Sequence, residues 1–438
     1  MEQRVEQLLD LARRQAQQAE VYSVTSEETP VQFEANRLKS LMTRHSSGVA
    51  LRVVKVGRIG FAATTRTDRL EELVDMAVEL AQFGAEAKFD LPARGDYPAV
   101  EVYDPTVEHA SVEAMVQLGQ GLIDRIREYA PEVQCEGNVW RRVSAVRILN
   151  SRGNDVGSRK TTFGINVEGT LIRDTDMLFV GDHQSSCHPI LDWTPVAEET
   201  IRQLELAQRI VEAPTGHLPV IFTPRGLGGV LLLPLSVALN GRTVLQGASP
   251  LGGRLGQQVL DRRLSVWDEP TLDYRPGSRA FDDEGVPTRR LPLVEDGVVA
   301  SFVYDLQTAG LAGAHTPGSA ARGLGSLPTP GLSVVRIAAG DTSFEDMVAG
   351  IEEGLVVERM LGTGQGNVLG GEFGGNVLLG YKIEHGEIVG RVKNTMVAGN
   401  VYEAFKGVLA IGREAHWVGG SFQASHIALP RVSVSARQ

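Results

Sequence analysis

Cysteine is nearly missing from this chain, with Cys135 and Cys187 the only two. Two cannot build a disulfide framework, so a reducing compartment is the simplest reading. An excess of base is missing as well. The formal net charge is -11, which argues against a nucleic-acid surface or an anionic-membrane surface. Long apolar runs are also lacking. The longest, Val230 to Leu239, is half of the about 20 residues that cross a bilayer. The first residues, MEQRVEQLLDLARRQAQQ, form a charged amphipathic pattern without an apolar signal-peptide core. A cytoplasmic protein is expected. Reactive motifs are scarce too: there is no H-E-x-x-H, no H-E-x-x-x-H, no C-x-x-C and no G-x-S-x-G.

What is present is ordinary globular composition, 42% hydrophobic and 22% charged, over 438 residues. That length predicts two or three domains, or two large ones. Helical spacing appears at Val5, Leu8, Leu9 and Ala12, over Asp68 to Gln82 with Asp68 and Glu71 as a capping pair, over Ser111 to Tyr129, and over Pro195 to Val211. Strand patterns cover Glu20 to Glu28, Val31 to Leu38, Gly48 to Val56, Ile59 to Thr64 and a three-strand meander from Val133 to Arg173. Ala213-Pro214-Thr215-Gly216 is the best linker, dividing the chain into 1–214 and 215–438. Beyond it the text is rich in glycine and strand, with hairpin turns at Asp296-Gly297 and His385-Gly386.

One stretch organises the second half, TPRGLGGVLLLPLSVALNGRTVLQGASPLGG from Thr223 to Gly253. Thr223-Pro224 suits an N-cap and first helical position. The run to Leu239 is apolar on all sides, which predicts a buried central helix. Pro234 is expected to remove a hydrogen bond and kink it.

Candidate chemistry is thin. Asp182, His183, Cys187 and His188 lie close in sequence and could hold a soft divalent ion; the bland alternative is a polar connection between strand and helix. Cys135, in a strand pattern, reads as a buried small hydrophobe. Ser319 has only glycine neighbours in its favour. Gly362 to Gly366 lacks the lysine and helix of a phosphate loop, and Gly226 to Gly229 is a partial dinucleotide turn without βαβ context. His416 and His426 flank a Gly-rich turn and read as structural or surface residues. Asp282-Asp283-Glu284 reads as a solvated turn, with a structural salt-bridge or peptide-contact role left open.

The second half resembles the TldD/PmbA metalloprotease family. The blocks that carry the likeness are LPVIFTPRGLGGVLL, NGRTVLQGASPLGGRLGQQV, RAFDDEGVPTRRLPLVEDGVVASFVYDLQTAG and GGEFGGNVLLGYKIEHGEIVGRVKNTMVAGNVYEAFKGVLAIG. The first half, with EANRLKSLMTRHSSGVALRVVKVGRIGFAATT, is similar but less distinctive. The resemblance implies an α+β fold, an N-terminal sheet-and-helix domain followed by a β-rich C-terminal domain around the central helix. It also implies two kinds of subunit, one of them holding zinc through H-E-x-x-x-H and a C-terminal cysteine. Matched from Gly247-Ala248-Ser249, those positions fall on Leu232, Leu233 and Val237, with the cysteine near Trp417. None can ligate a metal. The resemblance therefore implies the PmbA/TldE-type subunit: no catalytic, cofactor-binding or metal residue in this chain, zinc in a TldD-type partner, and peptide substrates, including precursors of modified peptides. An autonomous hydrolase with its site at Asp182 to His188, and a homodimeric peptide-binding scaffold, are the competing readings.

Overall fold

The computed structural model describes residues 2–436. Helix α1 (Glu2–Arg13) leads into four strands: β1 (Gln18–Glu34), β2 (Arg37–Leu41), β3 (Arg44–Lys55) and β4 (Arg58–Thr64). Helix α2 (Leu70–Ala81) follows, then a long extended crossing, then the helix Val112–Tyr129. Val133 to Arg173 holds two long strands rather than three, β5 (Gln134–Asn150) and β6 (Asp155–Arg173), and the third strand of the meander, β7 (Asp176–Ser186), lies beyond it. All seven strands form one antiparallel sheet in the order β4-β3-β1-β5-β6-β7, with β2 beside β1.

The strand expected over Glu20 to Glu28 runs on through Pro30 to Glu34, and the span expected as a second strand, Val31 to Leu38, is divided by the turn at Ala35-Asn36 between β1 and β2. Proline survives within β1 because its missing N–H costs no bond. On one side Pro30 pairs with Trp140 of β5. On the other it falls in the gap between β3, which ends at the Glu28–Arg44 pair, and β2, which begins at Val31–Leu41. The capping pair at Asp68 and Glu71 is not formed: the N-cap of α2 is Arg69, and no side chain caps it. Ser111 does cap the helix Val112–Tyr129, accepting from the Ala114 N–H at 3.1 Å.

In the second half, Glu353–Leu361, Gly216–Phe222, Ile427–Ala436, Thr395–Asn400 and Glu372–Glu384 pair in that order. Glu353–Leu361 then pairs back onto Glu372–Glu384, so the five strands close a ring. Closure removes free edges. The short strand Ile210–Val211, ahead of the linker, already joins this sheet through Glu387–Val392. A six-stranded sheet packs nearby, with the order Val298–Val299, Leu291–Glu295, Val266–Asp268, Val335–Ile337, Phe422–Ala424, His416–Val418. Two-residue turns at Asp296-Gly297 and His385-Gly386 carry positive φ at both positions, as tight antiparallel hairpins require. The structure is α+β.

The central helix differs from its expectation. Thr223 caps it by accepting from the Gly226 N–H, and Pro224 takes the first position. One turn later, Gly228–Leu232 widens into a π-helical turn, with the Leu233 N–H reaching back to the Gly228 carbonyl. Pro234 then sits near the start of a new segment, Leu233–Ala238. The widened turn absorbs the break that proline imposes. Nor is the helix buried all round. Val230, Leu231, Leu235, Ala238 and Leu239 enter the core, but Leu233 is 36% exposed, and Leu232, Ser236 and Val237 are half-buried. This open side meets the Gly-rich loop after residue 361: Gly229 lies against Thr363, and Gly364 against Leu233.

The two halves share an apolar core. Phe33, Leu122, Ile165 and Val180 of the first half cluster with Ile221, Val356, Leu379 and Tyr381 of the second. A buried ionic junction joins them elsewhere. Here the solvated-turn reading of Asp282-Asp283-Glu284 fails, because Asp282 and Glu284 are fully buried. Glu284 accepts from Arg52 of β3 at 2.5 Å and from the Leu306 N–H at 2.7 Å. Arg52 also donates to Glu20 of β1 at 2.7 Å, and Glu20 accepts from Arg322 at 2.8 Å. Burial pushes the Glu20 carboxyl up, but Arg322 and Arg52 outweigh it and hold it below the ordinary range. The Asp282 carboxylate accepts from the N–H groups of Glu284, Val286 and Ala320. Glu284 thus takes the salt-bridge role that the sequence left open, Asp282 ties its own loop to the backbone, and half-buried Asp283 pairs with Arg279 at 3.6 Å.

Candidate functional site

The strands and helices that meet at the interface of the two halves leave a cavity of about 760 Å³. That volume is in the range of small-ligand pockets, about 300–1,000 Å³. Strand β7 contributes Asp182, Gln184 and Ser185, and the helix Thr194–Leu206 contributes Glu199 and Arg202, one turn apart on the same face. Glu358 comes from the strand Glu353–Leu361, and Thr223 to Arg225 from the first turn of the central helix. His416, Trp417 and His426 come from the six-stranded sheet and the segment after it.

The floor is a chain of ion pairs. Arg225 donates to the Asp182 carboxylate and to the Gly181 carbonyl. Arg202 grips Glu199 with two bonds of 2.8 and 2.9 Å and also reaches Glu358. Gln203 ties Glu199 to the backbone of Gly181. Burial pushes the Asp182 carboxyl up to about 6, against the pull of Arg225. Burial also raises Glu358. Glu199 is held low, since Arg202 outweighs its burial. Burial pushes His426 down to about 4, helped by His416 at 6.0 Å between ring centroids. Its ring also leans on Phe344 at 4.6 Å.

The four residues Asp182, His183, Cys187 and His188 do not come together at a point. Asp182 faces the cavity with Arg225. The His183 ring lies beside Gly419. Cys187 is fully buried, and burial pushes its thiol up to about 11. His188 stacks on Tyr274 at 3.6 Å and bonds Asp104 at 2.7 Å. Cys135 lies in β5, inside the shared core. Ser319 is buried. The cavity serines serve the backbone: Ser185 donates to the Gly419 carbonyl at 2.8 Å. Among the described residues, no three His, Cys, Asp or Glu side chains gather in a metal-holding arrangement. The positions matched to a zinc motif offer no donor either: Leu232, Leu233 and Val237 lie on the open side of the helix, and Trp417 lines the cavity. These four side chains do not fit a zinc ion.

The pairing of Glu199 with Arg202 at i, i+3 was a signal available in the sequence, as were the two histidines flanking Trp417 to Ser425. Glu358 and Arg225 had no local signature, because their neighbours come from distant strands.

Comparison with known proteins settles the lineage. A family model described as the PmbA/TldA metallopeptidase C-terminal domain matches residues 215–436. The chain belongs to the TldD/PmbA metallopeptidase family. A second model, for domain 1 of the same metallopeptidases, matches residues 19–81. Among the relatives is an uncharacterized protein of Methanocaldococcus jannaschii, 27% identical over 92% of this chain and 93% of that protein. The metalloprotease PmbA of Escherichia coli O157:H7 is 28% identical over 51% of this chain and 47% of its own length. The crystal structure of TldE from Thermococcus kodakarensis superposes with a TM-score of 0.90 at 24% identity, covering 99% of this chain and 100% of that one. At that identity the match speaks for the fold. Among the described residues no helix is long and apolar enough to cross a membrane.

Proposed function

We propose that this chain is the non-catalytic, PmbA/TldE-type subunit of a cytoplasmic metalloprotease. In this reading a TldD-type partner supplies the zinc and cleaves short or unfolded peptides, including precursors of modified peptides. A second copy of this chain is the other possible partner, which would make a peptide-binding scaffold. The observation that carries the reading is the open side of the central helix. Where the family's zinc subunit is expected to present ligands, this helix presents Leu232, Leu233 and Val237, partly open and without a lone pair. An apolar, partly exposed helix side suits contact with an extended peptide, whose backbone can add to a sheet edge without side-chain chemistry. No acid, base or nucleophile of this chain is assigned a catalytic step.

The test is purification of this chain alone, of an H-E-x-x-x-H subunit alone, and of both together, each assayed on unfolded peptide. Elemental analysis accompanies each sample. The expected result is no stoichiometric zinc and no cleavage for this chain alone, with cleavage when the zinc subunit is added. About one firmly bound zinc per chain, or cleavage by this chain alone, overturns the reading.

A further inference from the structure

Beyond the ion pairs on its floor, the cavity is lined by the exposed Glu345 and Glu414 and, on another wall, by one cation that no carboxylate of the described residues engages. Asp182, Glu199 and Glu358 are each engaged by Arg225 or Arg202. Arg275 also lines the cavity, and among the described residues its guanidinium meets no carboxylate and makes no side-chain hydrogen bond. Instead its Cζ lies over the Trp417 indole, 4.0 Å from the ring centroid. A stacked guanidinium keeps its edge free, and its planar fork matches the two oxygens of a carboxylate.

The loop that presents Arg275 is pinned from several sides. Tyr274 has a left-handed backbone, φ 54°, which is costly for an aromatic residue. Such strain persists where the surroundings over-determine it. Here the Tyr274 carbonyl accepts from the Cys187 N–H at 3.1 Å, and the Tyr274 N–H donates to the Glu101 carbonyl at 2.6 Å. His188 stacks on its ring. Half-buried Lys160 donates to the carbonyls of Pro276 at 2.9 Å and Ser278 at 2.5 Å. Residues that read as a metal cluster in sequence therefore hold the loop that aims Arg275.

We propose that Arg275, stacked on Trp417, binds the C-terminal carboxylate of a peptide in this cavity. The bond is a forked pair of N–H donors to the two carboxylate oxygens. This inference rests on the peptide-binding reading of the subunit, and it assigns one end of the peptide.

The experiment measures calorimetric binding of N-acetyl-tri-alanine and of its C-terminal amide to the full chain, so that only the carboxylate differs. The acid is expected to bind at least about tenfold more tightly than the amide, the scale of one charge-assisted bidentate pair. Arg275→Gln should erase that difference, while Arg275→Lys keeps part of it. Circular dichroism checks that both variants fold. Equal binding of acid and amide, or binding of neither, overturns the assignment. Acetate that displaces the tripeptide at equal concentration overturns the peptide as occupant and leaves a site for small carboxylates. Because binding is read on this chain alone, failure here leaves the cleavage test of the two-subunit reading untouched.

Discussion

Among the ionic contacts that join the halves of this molecule, two networks differ in one respect. The first, Glu284–Arg52–Glu20–Arg322, is sealed: every side chain in it is at most 3% exposed, and two carboxylates face two guanidiniums. The second, Asp182–Arg225 and Glu199–Arg202–Glu358, opens onto the cavity, where the Arg202 side chain is 39% exposed. The difference teaches what buried charge is for in each place. A sealed network has no vacancy for a ligand, so it fixes how the halves register. An open one keeps its charges near water and near whatever enters.

The largest effect is expected from breaking the sealed network. Arg52→Met leaves Glu284 buried without its cation and takes from Glu20 one of its two partners. Removing one member of a buried pair costs about 3–5 kcal/mol, because the charge left behind cannot be solvated. Chemical denaturation should show a loss of that size. A loss under about 1 kcal/mol would mean that water reaches this junction and that the contrast between the networks is wrong.

Next comes acid, which should act on the open side. Burial, with His416 and Arg202, holds His426 at about 4 against an ordinary 6.5, while Glu199 pulls the other way. Between those values the unfolded chain binds a proton that the folded chain refuses, so stability falls as pH drops from 6.5 towards 4. At about 1.4 kcal/mol per pKa unit the loss is about 3 kcal/mol across that window. His426→Gln should flatten this part of the stability–pH curve. An unchanged slope would place His426 in contact with water.

Much of this contrast was invisible in the sequence, and the reason is physical. Helices with a clear apolar stripe, such as Val112–Tyr129, were legible because burial imposes a period of 3.6. Hairpins at Asp296-Gly297 and His385-Gly386 were legible because turn chemistry is local. Phe281 to Gly285 misled, because three acids in a row look solvated unless one knows that Arg52 sits 232 positions away. The cluster of Asp182, His183, Cys187 and His188 misled in the opposite direction: nearness along a strand and its following turn does not aim four side chains at one point. The central helix read as buried because sequence reports polarity, and an apolar side left open has the same letters as one that is covered.

A smaller loss is expected in the open network. Arg202→Met strands Glu358, whose side chain is only 4% exposed, but the cavity admits water to the place where the guanidinium was. The cost should fall between the exposed-pair and buried-pair ranges, at about 1–2 kcal/mol by denaturation. A loss equal to that of Arg52→Met would show both networks to be sealed alike.

The smallest effect sharpens the comparison most. Tyr381 is fully buried, belongs to the core shared by the two halves, and its hydroxyl has no hydrogen-bond partner among the described residues. Burial, and the nearby Glu358 carboxyl, push that phenol far above its ordinary value, so it stays protonated. A buried hydroxyl without a partner is a cost that Phe does not carry. Tyr381→Phe should therefore change stability by less than about 0.5 kcal/mol, or raise it slightly. If the variant instead loses about 1 kcal/mol or more, the hydroxyl is donating to Glu358 in solution. Glu358 would then be held by two groups, Arg202 and Tyr381, and the inner end of the open network would resemble the sealed one. The cavity's capacity for a ligand would then rest on its outer wall, where Arg275 lies over Trp417.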